Sequence, residues 1–448
     1  MRSETISRRK FLQLSTLSAT TAVLVACQVA APAAPQAAQE GAAASSTEAV
    51  EVLMFDRDLP HEVAYRKELA DRFMQENPTI KVTVDTIPQG YQETLMARIA
   101  AGTAGDAFRH ATHWGMSKYA ARGLLQPLDE FVELDNYDLT VFFTGLLESN
   151  RYQGKLYGLP VNGHPGESGI YYSPELFAEA GIDEPNDTWT YNDYNAAMVA
   201  LTKDLDGDGK TDQWGAWVAP WYEAALTPID AHDGWPLNED GTKANWTNPG
   251  TMAGVQWIVD VYNDLKTAIP LGPWDARQAL WSSGKLGTAL SGVWEMSVLG
   301  DITPEGKTLK LSTGPLGPTG RRGGFAGCNN FPIWASSKHP YETFQWIKFL
   351  SSKEVGIEGV SRLGEPGLRF DVWEDPIIAE DPLIIPHYEL LKVVKPFPAP
   401  ANGRDSEVLE ATTPILEGMY LAELTVEQGC EQLQAKVEEI LAMEIPTA

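Results

Sequence analysis

From Val50 onward, short strand-like runs alternate with longer stretches of helical period, and that order constrains the fold more than any other feature of the chain. Glu51-Val52-Leu53-Met54-Phe55 has the length and apolar content of a strand. A helical pattern follows through Val63, Leu69, Ala70 and Phe73, and Asn77-Pro78 ends it, because Pro cannot continue a helix. Ile80-Lys81-Val82-Thr83-Val84 alternates apolar and polar residues, the period of a half-buried strand. Tyr91 to Ala101 returns to helical spacing, with Leu95, Met96 and Ile99 on one side and Gly102 closing it. This order predicts an α/β lobe. The alternation resumes later. Leu176–Ala180, Tyr194–Thr202, Met252–Leu265, Tyr341–Leu350 and Val426–Leu441 have helical character, and Leu286–Leu290 and Lys310–Ser312 read as strands.

No such pattern precedes Val50. Residues 28–48 are rich in Ala, Pro and Gln and hold no aromatic residue, so they bury no core; residues 27–48 form a flexible, lipid-anchored linker. Residues 1–26 set Arg2, Arg8, Arg9 and Lys10 before an uncharged stretch from Phe11 to Ala26, the basic and apolar regions of an export signal. Ser7-Arg8-Arg9-Lys10-Phe11-Leu12 resembles a twin-arginine signal. Leu24-Val25-Ala26-Cys27 resembles a bacterial lipobox, which predicts a lipid on Cys27. An uncleaved membrane helix fits less well: the stretch holds Gln13 and several Ser and Thr, and it falls short of the roughly 20 apolar residues a span needs. The expectation is a protein outside the cytoplasm, held to the cell membrane by its lipid alone.

The formal net charge is −27, which repels nucleic acid and anionic lipid surfaces and excludes polyanion binding. Hydrophobic residues make up 43% and spread along the chain, which excludes disorder; the chain beyond Cys27 is long enough for two domains. Beyond Cys27 the only cysteines are Cys328 and Cys430, too few and too far apart for a disulfide framework, and both are expected to be buried free thiols.

Several segments, in order, carry a resemblance. They are Phe73 with Asn77-Pro78-Thr79-Ile80-Lys81-Val82, Tyr91, and Ile99 to Asp106. Next come Tyr119 to Asp129, Gly154-Lys155-Leu156-Tyr157-Gly158-Leu159-Pro160, Ile170 to Phe177, and Ala180-Gly181-Ile182. Gly284-Lys285-Leu286-Gly287, Ser291-Gly292-Val293-Trp294, Leu416-Glu417-Gly418 and Leu424-Thr425-Val426-Glu427 complete the series. The chain is similar to extracellular solute-binding proteins of family 1, the maltose-binding-protein-like lipoproteins that deliver sugars to ABC transporters. It departs from the family at Gly105-Asp106, where Pro usually precedes the Asp, and at Ser173, where Asn is common.

The resemblance implies a two-lobe periplasmic-binding-protein fold of type II, each lobe a β-sheet flanked by helices, with three interlobe crossings. These are expected near Pro160–Gly166, Gly314–Thr319 and Gly356–Arg369, all rich in Gly or Pro. Lobe 1 would then comprise 49–160 and 315–360, and lobe 2 would comprise 161–314 and 361–448. The implied function is non-catalytic: a monomeric receptor that binds a carbohydrate between its lobes and passes it to the permease subunits. A polyol, a peptide or glycerol phosphate is the alternative ligand.

A pyranose presents an apolar face that stacks on aromatic rings and a rim of hydroxyls that need paired polar groups. The chain has 14 Trp, 15 Tyr and 14 Phe, most of which belong in cores. Position singles out a few. Trp294 resembles the family's ligand-stacking tryptophan, and Trp221 and Tyr222 resemble the aromatic lining of the second lobe. His113 and Trp114 follow the strand after Asp106. Asp56 and Arg57 end the first strand and either hold hydroxyls or cap the next helix. Asn162 and His164 lie at the first crossing, and Asn329 and Asn330 in a Gly-rich turn. Trp235 covers either the cleft mouth or a loop. Glu295, Arg369 and Arg404 are weaker candidates, because surface ion pairing is the usual fate of such residues.

One loop stands apart. Asp204, Asp206, Asp208 and Asp212 occupy positions 1, 3, 5 and 9 of an EF-hand-like calcium loop, with Gly209 at the sharp turn and the Lys210 carbonyl at position 7. Position 12 is Gly215 in place of Glu, so the choice is between structural calcium and an acidic surface turn. No cofactor is otherwise expected. The sequence holds no Gly-x-Ser-x-Gly elbow, no His-Glu-x-x-His, no Cys-x-x-Cys and no phosphate-binding Gly-x-x-x-x-Gly-Lys. A glycoside hydrolase, which needs only two carboxylates at a set separation, is the minor alternative. Arg321-Arg322 is the one candidate for a phosphate ligand.

Overall fold

A computed structural model describes residues 49–445, apart from Gln89 and Trp274, and the backbone alone of His113. The expected signal segment, the linker and Cys27 lie outside the described residues.

The first lobe is built on three parallel strands in the order β2-β1-β3: β1 (Val50–Arg57), β2 (Ile80–Ile87) and β3 (Ala107–Phe108). β1 and β2 pair along their whole length, from Val50 with Ile80 to Arg57 with Ile87. Val52, Met54, Ile80, Val82 and Val84 point inward, as their alternation requires. The helix Pro60–Glu76 starts on Pro60, whose fixed φ suits a first helical position, and lays Tyr65, Leu69, Ala70 and Phe73 on the sheet. Phe73 meets Trp346 of the helix Pro340–Leu350, with ring centroids 5.3 Å apart.

β4 (His110–Ala111), the hairpin of β5 (Arg151–Tyr152) and β6 (Lys155–Leu156), and β7 (Asn162–His164) lead out of this lobe. The second lobe is a four-stranded sheet in the order β11-β8-β10-β9: β8 (Gly169–Tyr172), β9 (Trp214–Val218), β10 (Leu286–Ser291) and β11 (Lys310–Thr313). β10, covered on both faces, is buried at every position. Helices Tyr191–Leu201, Tyr222–Ala231, Pro249–Asn263, Asp405–Tyr420 and Val426–Leu441 supply its core with Tyr194, Trp257 and Leu433.

Between the lobes runs β12 (Phe325–Asn330). It pairs antiparallel with β7, Asn329 opposite Asn162 and Gly327 opposite His164. It also pairs antiparallel with β4 and parallel with β13 (Lys395–Pro396). Asn162 bridges Gly367, so three chain segments meet there. A separate apolar cluster of Phe143, Val293, Ala326, Trp373 and Leu391 fills the space around them.

Two expectations fail here. Gly314–Thr319 stays with the second lobe, because Leu316 bridges Thr190 and Arg322. The Gly-rich stretch around Gly327 and Cys328 is mostly strand β12 and no turn, so Asn329 and Asn330 belong to a strand. Its glycines serve close approach: a Cβ on Gly327 would lie 2.6 Å from the His164 ring. Cys328 and Cys430 are free and buried, and burial pushes both thiols up to about 12.

Candidate functional site

The carboxyl end of β1 delivers Asp56 and Arg57. Asp56 is fully buried, and its charge is met by Arg66 at 3.3 Å and Arg109 at 3.7 Å. It does not cap the following helix, whose N-cap is Leu59. Arg57 stays partly exposed, pairs with Glu62 at 3.4 Å, and holds its guanidinium 5.7 Å from the Trp114 ring. Arg109 lies 6.0 Å from the same ring and 3.6 Å from Glu62. His113 shares the short turn Thr112–Trp114.

This network abuts the interlobe strands. Asn162 and Asn329 are register partners, and both donate Nδ2 to Oε2 of Glu365, Asn329 at 3.4 Å. Desolvation pushes the Glu365 carboxyl up to about 7; Glu62 adds to the rise, and Arg109 and Arg57 oppose it. Two residues on from Asn162 along β7, His164 accepts from the Gly166 amide through Nδ1 at 3.0 Å, and its ring meets Trp294 edge-on, with centroids 4.5 Å apart. Trp294 packs so close to Gly292 that a Cβ there would lie 2.2 Å from the indole. That contact gives the Gly-Val-Trp spacing a steric reason.

The second lobe adds an acidic, aromatic wall. Trp221 donates Nε1 to Glu167 at 3.1 Å and lies 5.5 Å from Trp217. Tyr222 is buried and shares a cavity of about 130 Å3 with Trp114, Gln92, Lys118 and Asp405. Trp114 and Tyr222, from opposite lobes, thus line one space. Burial lowers the Lys118 ammonium to about 8, with Asp405 opposing. Trp235 lines a larger groove of about 800 Å3 with Arg151, Tyr152, Asn238 and the Pro-rich stretch 396–400.

Four candidates are engaged elsewhere. Asn330 is buried and donates to Asn150 at 2.5 Å. Arg369 forks onto Asp371, and Arg404 onto Glu407 and the Glu444 carbonyl. Glu295 forms no surface pair: it is fully buried, takes Arg277 at 2.8 Å and accepts from Ser291 at 3.1 Å. Arg321 pairs with Asp230 at 2.7 Å, and Arg322 donates to the Gly314 carbonyl at 2.9 Å.

The sequence reading missed Glu62, Arg109, Glu167 and Glu365. Glu62 and Arg109 had a signal, since each follows a strand at the same sheet edge as Asp56. Glu365 and Glu167, each in a Gly- or Pro-flanked turn, had none.

In the acidic loop, carboxylate oxygens of Asp204, Asp206 and Asp208 lie within 4.8 Å of one another, and all three residues are exposed. These three can hold a metal ion. Asp204 accepts from the Gly207 and Gly209 amides, which shapes the loop. Asp212 instead accepts from the Leu205 amide, and the Lys210 ammonium pairs with Asp208 at 3.0 Å.

The sequence profile of the bacterial extracellular solute-binding proteins matches residues 59–357. The chain belongs to this family. It is 26% identical over 326 residues to a binding protein of Brucella abortus, covering 70% of this chain and 75% of that one. It is 22% identical over 342 residues to a maltotriose-binding protein of Pyrococcus abyssi, covering 74% and 70%. Among solved structures, the sugar-binding protein MalE of Xanthomonas citri superposes with a TM-score of 0.74 at 22% identity, over 88% of this chain and 98% of that one. These likenesses establish the bilobed fold. A family of extracellular binding proteins carries no catalytic step, so the chain is not an enzyme and the hydrolase alternative falls.

Proposed function

We propose that this solute-binding protein is the receptor of an ABC importer, tethered outside the cytoplasm by a lipid on Cys27, and that it takes a carbohydrate between its lobes. The observation that carries the ligand class is the His164–Trp294 contact beside the Asn162–Glu365–Asn329 cluster. An aromatic face next to convergent donors and acceptors matches the two sides of a pyranose. The relatives named for maltotriose and for sugar support the same class. A phosphorylated solute is disfavoured, because Arg321 and Arg322 are both engaged within the protein. Solute touching both lobes favours the closed state by its differential affinity, and the loaded form is what a permease meets.

Calorimetric titration with mono- and oligosaccharides, polyols and small peptides tests this reading, with Trp294→Ala alongside. Micromolar or tighter binding of one sugar class, lost in the folded variant, supports it. Heat from peptides or polyols alone overturns the ligand class. We also propose that loop 204–212 holds a structural calcium ion. The three convergent carboxylates and the pre-shaped turn support this.

A further inference from the structure

We propose that the cleft selects a carbohydrate carrying a protonated amine, held by Glu167 and Glu223 beside Trp221. The inference rests on the carbohydrate reading above and narrows it.

Glu167 lies between β7 and β8, where the chain enters the second lobe, and is 4% exposed. Its Oε1 accepts from the Trp221 indole, and its Oε2 is buried with no hydrogen-bond partner among the described residues. Glu223, two residues beyond Trp221 in the first turn of the helix Tyr222–Ala231, is half-buried and adds repulsion. The other acid felt by Glu167 is Glu295, and Arg277 already answers that one. Among the described residues no Lys, Arg or His forms an ion pair with Glu167 or Glu223, in contrast to the first lobe, where Arg57, Arg66 and Arg109 surround Asp56 and Glu62. Burial pushes both carboxyls up to about 7, and the charge of Glu223 adds to the rise at Glu167.

A neutral sugar hydroxyl gives such a pair a hydrogen bond but no charge. An ammonium gives both: it is a compact point charge with donors and no acceptor. The neighbouring indoles suit a cation as well. Among the described residues four cations already sit over three indoles: Arg57 and Arg109 over Trp114, Arg277 over Trp217 and Lys395 over Trp235. The acidic surface draws cationic solutes toward the cleft.

The test is calorimetric titration of the full chain, purified in detergent, at pH 7.5. The probes are glucose, glucosamine and N-acetylglucosamine and the β-1,4 oligomers of each. Amine-bearing probes should bind roughly tenfold tighter than their neutral or acetylated counterparts. The near-isosteric Glu167→Gln and, separately, Glu223→Gln should each abolish the ratio between amine-bearing and neutral affinities. Equal or tighter binding of neutral sugars overturns the amine inference alone. So does a preference that survives either single variant. Absence of binding to every sugar overturns the carbohydrate reading and this inference together.

Discussion

His164 and Trp294 meet at a ring-centroid distance of 4.5 Å with their planes at 81°, so an interlobe strand buttresses an indole of the second lobe. Gly292 holds the other side, where any side chain would collide with the ring. Gly292→Ala should therefore displace the indole and loosen its contact with His164. Sugar affinity should fall by roughly tenfold or more, as in Trp294→Ala. Over-packing of this kind costs about 1–3 kcal/mol, so the melting temperature should fall by a few degrees while the protein stays folded. Titration and thermal melts measure the two readouts, and wild-type affinity in Gly292→Ala would remove Trp294 from the site.

Glu167 couples the site to pH even without ligand. Its folded pKa is raised from the ordinary glutamate value of 4.5 to about 7, chiefly by burial. Its contribution to stability is fully present below pH 4.5 and is lost as pH rises through about 7, at most about 3 kcal/mol in total. Glu167→Gln removes that term. The gap between wild-type and variant stability should move in favour of the variant from pH 5 to pH 8. Urea titrations at three pH values measure it, and a pH-independent gap would show that Glu167 is solvated.

Much of the fold was legible because β1 and β2 obey period-two alternation and the flanking helices bury one stripe each. The stretch before β12 was not, because glycine has one letter for two jobs. Gly323 and Gly327 read as turn residues, yet each is there to let another segment approach. Among the candidate site residues, Trp294 and Trp114 stood out by position and residue type. Glu167 and Glu365 were not, because their importance comes from burial and from partners on distant segments. Asn162 and Glu365 are brought together only by the meeting of β7 with the turn before Gly367.

Arg277 and Glu295 form a fully buried pair at 2.8 Å, with the guanidinium 4.5 Å from the Trp217 ring. Removing one partner strands the other charge in the core. Arg277→Met should cost roughly 3–5 kcal/mol of stability. Adding Glu295→Leu should restore most of it, because the desolvation penalty then disappears from both sides. Chemical denaturation of the single and double variants checks this. Additive losses would mean the pair is held by other contacts.

The acidic loop gives the last prediction. Asp204, Asp206 and Asp208 converge, but the position-12 glutamate of a complete EF-hand is Gly215, and Lys210 neutralises part of the charge through Asp208. Fewer carboxylates mean weaker binding, so affinity should fall toward the 10⁻⁴–10⁻³ M range of extracellular calcium modules. Millimolar calcium should then raise the melting temperature by a few degrees, because a ligand bound only by the folded state stabilises it by mass action. EGTA should reverse the shift, and magnesium, which demands a tighter octahedral shell, should not reproduce it. Asp206→Asn removes a ligand charge while leaving Oδ1 to accept from the Asp208 amide at 3.1 Å, so the loop should persist and the calcium response should shrink. A melting temperature indifferent to calcium and EGTA would mean that the loop is held by its own amide hydrogen bonds alone.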